Sequence, residues 1–217
     1  MIIRHGEKPG SPANDKDGGP NLSTLGSARA AAMPSLFTPD PTVTPAGSTP
    51  QIACDLAAGT GSQFTGAYSS SKINAGQSRF PTPDFLFATK ASNSSSRPIE
   101  TVTPLAQALQ FLKNDPTFKV HHHFKNDTKG ISGLTSEILK TPATYGGKVI
   151  LVCWHHGTIP QLTEAFGVPA SQLPFKKWPG TVFDLLFYIT WTSNQANLVV
   201  DHQQLLFGDS SSSGQNS

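Results

Sequence analysis

Apolar residues in this chain fall into short runs, and several of the runs stop abruptly at polar residues with chemical potential. Met1–Ile3 is apolar and β-branched and ends at Arg4–His5–Gly6, which reads as the tail of a strand entering a Gly/Pro/Asp-rich loop that reaches Asn21. Behind a capping Ser23, Leu25, Ala28, Ala32 and Leu36 recur at helical spacing, and Pro34 with the Pro-rich stretch after Phe37 brings that helix to a close. Asp84–Ala88 predicts a short buried strand, Thr89–Ser96 a polar loop, and about Pro98 to Leu112 a helix. Phe118–Phe124 alternates loosely and predicts a strand; Leu134–Leu139 predicts a short helix; Lys148–Trp154 (KVILVCW) is the clearest buried strand. Thr158–Phe166 then reads as a helix closed by Gly167, and Phe183–Trp191 and Leu198–His202 as two strands near the sheet edge. Alternating strands and helices predict an α/β fold, three layers deep (α/β/α), around a mostly parallel central sheet.

At 217 residues the chain suits one domain, read here as residues 1–209 with a flexible Ser-rich tail over 210–217. Residues 38–83 shift to Thr, Pro, Gly, Ser and Ala and read as a low-complexity insertion or cap. Hydrophobic residues make up 36% and charged ones only 14%, against a usual charged share of roughly 25%, so neutral polar residues must finish the surface. With 16 Lys plus Arg against 14 Asp plus Glu, the net charge of +2 gives no broad footprint for nucleic acid or an anionic membrane, and any anion site must be local. No apolar run approaches the roughly 20 residues that span a bilayer. Two cysteines build no disulfide framework, and Cys153 sits in the apolar run, so two reduced thiols are expected. No secretory leader precedes Arg4, which makes a cytoplasmic location the default; sequons at Asn21, Asn93 and Asn126 keep an extracellular one open should the N-terminus be truncated.

Three strand ends deliver polar groups: Arg4–His5, Arg97 shortly after Ala88, and His155–His156. In open α/β sheets ligands bind beyond the carboxyl ends of the strands, so these residues can meet. Guanidiniums bind phosphate oxygens in planar, bidentate fashion, and an unprotonated imidazole beside them can attack phosphorus. Neighbouring residues on an extended segment point to opposite faces, so His121–His123 cannot all hold one ion, and neither metal nor cofactor is expected.

Ile3-Arg4-His5-Gly6-Glu7-Lys8 resembles the opening signature of the histidine phosphatase superfamily, the phosphoglycerate mutase-like fold. Asn21–Ala30 (NLSTLGSARA) resembles the helix start of that superfamily, Ser96–Thr101 (SRPIET) with Pro104-Leu105-Ala106 its second-arginine motif, and Val152–Gly157 (VCWHHG) its second-histidine strand. The resemblance implies a phosphomonoesterase with a covalent phosphohistidine on His5, and Arg4, Arg97 and His156 as the rest of the phosphate pocket. Glu7 and His155 join the substrate-binding residues. Its partner would be a small phosphorylated substrate, a phosphohistidine or a phosphoprotein. The first strand is shorter than the superfamily pattern, and no residue matches its usual leaving-group acid; Asp127 and Glu137 are the main candidates for that role, with Glu7 a third. A phosphomutase of the same superfamily, a phosphate-binding scaffold without turnover, and metal-dependent hydrolysis at the histidine run are the competing readings.

Overall fold

The computed structural model describes residues 1–10, 19–39, 78–192 and 195–209. The chain forms an α/β domain on one six-stranded sheet, with strands β1 (Ile2–Arg4), β2 (Phe85–Ala88), β3 (Val120–His121), β4 (Ile150–Trp154), β5 (Leu185–Thr192) and β6 (Gln195–His202) in the order β3-β2-β4-β1-β5-β6. Pairings among β3, β2, β4 and β1 are parallel; β5 runs antiparallel to both β1 and β6. The sheet is therefore mostly parallel. Most of the expected insertion (40–77) and the expected tail (210–217) lie outside the described residues.

Side chains alternate between two cores, as the twofold period of a strand requires. Ile2, Phe87, Val152, Trp154, Leu185 and Phe187 face one side. There they meet Ile131, Leu134 and Ile138 of one helix (Thr128–Lys140) and Ile159 and Leu162 of another (Ile159–Ala165). Ile3, Leu86, Ala88, Leu151, Cys153 and Leu186 face the other side and meet Met33, Leu36 and Phe37, together with Val102, Leu105 and Leu109. In chain order the helices are α1 (Thr24–Ala32), α2 (Pro34–Phe37), α3 (Arg97–Lys113), α4 (Thr128–Lys140), α5 (Pro142–Tyr145) and α6 (Ile159–Ala165). Helices thus cover both faces of the sheet.

Three expectations need correction. In α1 the buried face carries Gly26, Arg29 and Ala30, whereas Leu25 is exposed. The reason is close approach: a Cβ at Gly26 would stand 2.3 Å from the Glu7 carbonyl oxygen, so the helix presents its glycine to the loop after β1. The strand expected over Phe118–Phe124 forms its ladder only at Val120–His121, because Phe118 is tied to the end of α3, its N–H donating to the Asp115 carbonyl (3.2 Å) and its carbonyl accepting from the Gln110 side chain (2.7 Å). One further bond, from the Lys90 N–H to the Phe124 carbonyl (2.6 Å), follows, and the Phe124 ring packs on Gly133 of α4, where a Cβ would meet it at 2.8 Å. Finally, α4 is 13 residues long, not the single turn and a half around Leu134–Leu139. Asp127 caps it by accepting from the Gly130 N–H at 2.7 Å, and its apolar stripe begins at Ile131. Cys153 is buried and unpaired, with its thiol pushed up by burial; Cys54 lies outside the described residues.

Candidate active site

β1 and β4 are adjacent and parallel, with Arg4 opposite Trp154, so the chain leaves both strands at the same level. One more rung, from the His5 N–H to the Trp154 carbonyl (3.2 Å), carries the alignment past the strand ends and sets His5 beside His155. Their ring centroids are 5.1 Å apart in an edge-on arrangement; that of His156 is 6.5 Å from His5. On the other flank of β4, β2 ends at Ala88 opposite Cys153, and the loop after it leads to Arg97, the first residue of α3. Arg4, His5, Arg97, His155 and His156 are therefore gathered at the carboxyl end of the sheet, where a parallel sheet places its ligands.

His5 is buried and held in one tautomer. Its Nδ1–H donates to the carbonyl of Gly6 at 2.7 Å, which leaves the Nε2 lone pair free. Burial, joined by the charges of His155, Arg4 and Arg97, holds the imidazole well below its usual range despite that hydrogen bond. At neutral pH the ring is uncharged. The Gly6 N–H donates in turn to Thr101 Oγ1 (2.8 Å), whose hydroxyl donates to the Arg97 carbonyl (2.8 Å), so one threonine ties the turn after His5 to the first turn of α3.

The arginines are partly anchored. Arg4 donates through one terminal nitrogen to the carbonyls of Gly180 (2.8 Å), Val182 (2.7 Å) and Pro179 (3.3 Å), and its guanidinium lies 3.6 Å from the Phe183 ring centroid. Arg97 donates to the carbonyls of Gly19 and Ser94. In both, Nε is buried and has no hydrogen-bond partner among the described residues. Burial pushes Arg4 down to about 9 and also lowers Arg97, yet both remain cationic at neutral pH.

The two remaining histidines occupy different surroundings. His155 is pushed down to about 4 by burial and then by Arg97 and Arg4. His156 also falls to about 4, through burial first and then Arg4, His155, Lys8 and Lys177. Arg4 thus acts on both rings, while Arg97 acts on His155 and the exposed Lys8 and Lys177 act on His156.

The carboxylates singled out in the sequence are engaged elsewhere. Glu7 is buried and accepts three hydrogen bonds from Arg29, at 2.6, 3.0 and 3.1 Å. Arg29 also donates to both oxygens of Asp209, at 2.7 and 2.8 Å. Glu7 is thereby a structural member of a buried ion triad, and not a group offered to substrate. Glu137 accepts from the Tyr145 hydroxyl (2.7 Å) and pairs with His123 (3.1 Å), nine residues down α4 from Thr128, or roughly 13 Å from its start. Asp127 stands at the sheet end that carries the site, but its carboxylate is spent on the cap of α4. Neither Glu137 nor Asp127 is among the charges that shift His5, His155 or His156. His121 stacks on Phe87 while His123 turns to Glu137, and among the described residues no group of three His, Cys, Asp or Glu is placed to hold a metal ion.

Thr101 and Arg29 lie within the motifs quoted from the sequence but carried no role there, and Asp209 and the carbonyls of the Pro179–Val182 loop carried none either, because their partners are far away along the chain. Cavities of about 360 Å³ beside Asp84, Lys113 and Lys148, and of about 500 Å³ between α4 and α6, are not lined by Arg4, His5, Arg97, His155 or His156. Among the described residues no helix is long and apolar enough to cross a membrane. A scan against protein-family models, a search of the curated proteins and a search of the solved structures each return no match.

Proposed function

We propose that the protein is a phosphomonoesterase of the histidine phosphatase type, with the phosphoglycerate mutase-like arrangement of that superfamily, and that it works through a phosphohistidine on His5. One observation carries the reading: two arginines, each with a buried Nε–H that has no partner among the described residues, act with their charges on a buried histidine whose Nε2 lone pair is free. Buried donors are costly unless they are satisfied, and a tetrahedral dianion satisfies both while presenting its phosphorus to the imidazole. His5 Nε2 attacks phosphorus as the ester oxygen leaves; water then cleaves the P–N bond and restores the neutral imidazole. Arg4 and Arg97 offset the charge that spreads over the phosphoryl oxygens, and His155 and His156 supply further N–H donors. The partners that suit such a cup are small phosphorylated molecules or phosphorylated side chains.

Rapid mixing with an aryl phosphate followed by alkaline quench should trap an alkali-stable, acid-labile phosphoryl group on the protein. His5→Ala should abolish both the trapped species and phosphate release. Equal release by that variant would refute the assignment.

A further inference from the structure

The proposed reaction needs a proton for the departing oxygen, and the carboxylates that the sequence nominated for it are occupied with Arg29, the cap of α4, and Tyr145 with His123. We infer that His156 protonates the leaving oxygen while His155 grips the phosphoryl group, an inference that rests on the phosphohistidine reading given above. The two adjacent imidazoles thus divide the work.

The division follows from distance and setting. In an in-line displacement the leaving oxygen lies across phosphorus from the nucleophile, about 5 Å from the attacking nitrogen, whereas the non-bridging oxygens lie about 3.5 Å from it. His155, whose ring centroid is 5.1 Å from that of His5 and on which Arg97 and Arg4 are the charges that act, matches the nearer oxygens. His156, whose ring centroid is 6.5 Å from that of His5 and which feels the exposed Lys8 and Lys177 in addition to Arg4, matches the farther one, on the side where an alcohol departs. Neither imidazole has a side-chain hydrogen bond among the described residues, so neither is committed to a structural partner.

The proton balance closes. A phosphate monoester enters in part as its monoanion, and its proton passes to a ring nitrogen of His156 once Arg4 and Arg97 compensate the dianion. The ionised groups that act on His156 are Arg4, Lys8 and Lys177, all cationic, with His155 beside it neutral, and the bound dianion reverses their effect on it. As the His5 Nε2–P bond forms and the P–O bond breaks, the imidazolium gives its proton to the alcohol oxygen. In the second half, neutral His156 takes a proton from water as that water's oxygen attacks phosphorus and His5 departs.

The test compares an alkyl phosphate, whose alkoxide must be protonated, with p-nitrophenyl phosphate, whose phenolate leaves without help. His156→Asn should lower kcat/KM for the alkyl ester by about 100-fold or more, and for the aryl ester by about tenfold or less. His155→Asn should lower both by similar factors. Added imidazole should restore alkyl-ester turnover to His156→Ala, which a merely structural role would not allow; thermal melting identifies any variant that fails to fold, and His156→Gln then takes its place in the ester comparison. Parallel losses on the two esters in His156→Asn without rescue, or leaving-group dependence that moves to His155, would overturn the division while leaving the His5 phosphoenzyme standing. A wild-type protein that traps no phosphoryl group on His5 would instead overturn the underlying reading.

Discussion

Thr101 shows how much of the site depends on a single hydroxyl. It accepts from the Gly6 N–H and donates to the Arg97 carbonyl, joining the turn that fixes the His5 tautomer to the helix start that carries Arg97. Thr101→Val is nearly isosteric but leaves the buried Gly6 N–H without its acceptor, a loss of about 1–3 kcal/mol. Chemical denaturation should register that loss, and phosphate release should fall with it, because the Gly6 carbonyl that orients His5 is no longer held. Thr101→Ser should keep both. A valine variant as stable and as active as the parent would show that the bridge is incidental.

At the scale of elements, the contact between α1 and the loop after β1 determines what a helix can present. Gly26→Ala should gain the roughly 1 kcal/mol by which alanine exceeds glycine in a helix. The added methyl would nevertheless meet the Glu7 carbonyl at 2.3 Å and the Glu7 nitrogen at 2.8 Å, both backbone atoms that cannot step aside cheaply. Overpacking of this kind costs about 1–3 kcal/mol, so a net fall in melting temperature is expected where a helix-propensity argument alone expects a rise. The same contrast explains what was legible in the sequence. β1, β2 and β4 stand out because each is buried on both faces and reads as a continuous apolar run that ends at a charged or polar residue. The full length of α4 was hidden because Gly130 and Gly133 break its pattern, and both are glycines for tertiary reasons: a Cβ at Gly130 would lie 1.8 Å from the Lys125 carbonyl oxygen. β6 begins at Gln195, three residues before its apolar pattern, since pairing with β5 and not hydrophobicity extends it. The residues gathered at the strand ends could be named from the sequence; the carboxylates could not be placed, because what occupies a carboxylate is decided by groups distant along the chain, such as Arg29 for Glu7 and Tyr145 for Glu137.

For the whole molecule, three imidazoles held neutral at one end of the sheet link stability to acidity. His155 and His156 titrate near 4, and His5 lies well below its ordinary value of 6.5. Below that ordinary value the unfolded chain binds protons that the folded chain refuses, so the histidines' contribution is present at higher pH and is lost as pH falls from about 6.5 towards 4. Burial tends to raise the Asp209 carboxyl, but its hydrogen bonds and ion pair with Arg29 outweigh burial and hold it below the ordinary carboxylate range. Its contribution fades only at still lower pH. Melting temperature should therefore decline across the histidine window, and vanadate, a phosphate-like anion, should lessen the decline by raising the imidazole pKa values of the complex. A decline unchanged by vanadate would argue that the anion does not sit among these rings.

The alignment of Arg4 with Trp154 has a consequence for how the protein tolerates change. Because successive strand residues face opposite sides, sliding β1 by one position would turn Ile2 and Ile3 towards the wrong cores and carry His5 away from His155 in the same movement. Core packing and the grouping of the strand-end side chains hang on one and the same pairing, so sequence drift that keeps β1 in step with β4 keeps His5 level with His155 as well.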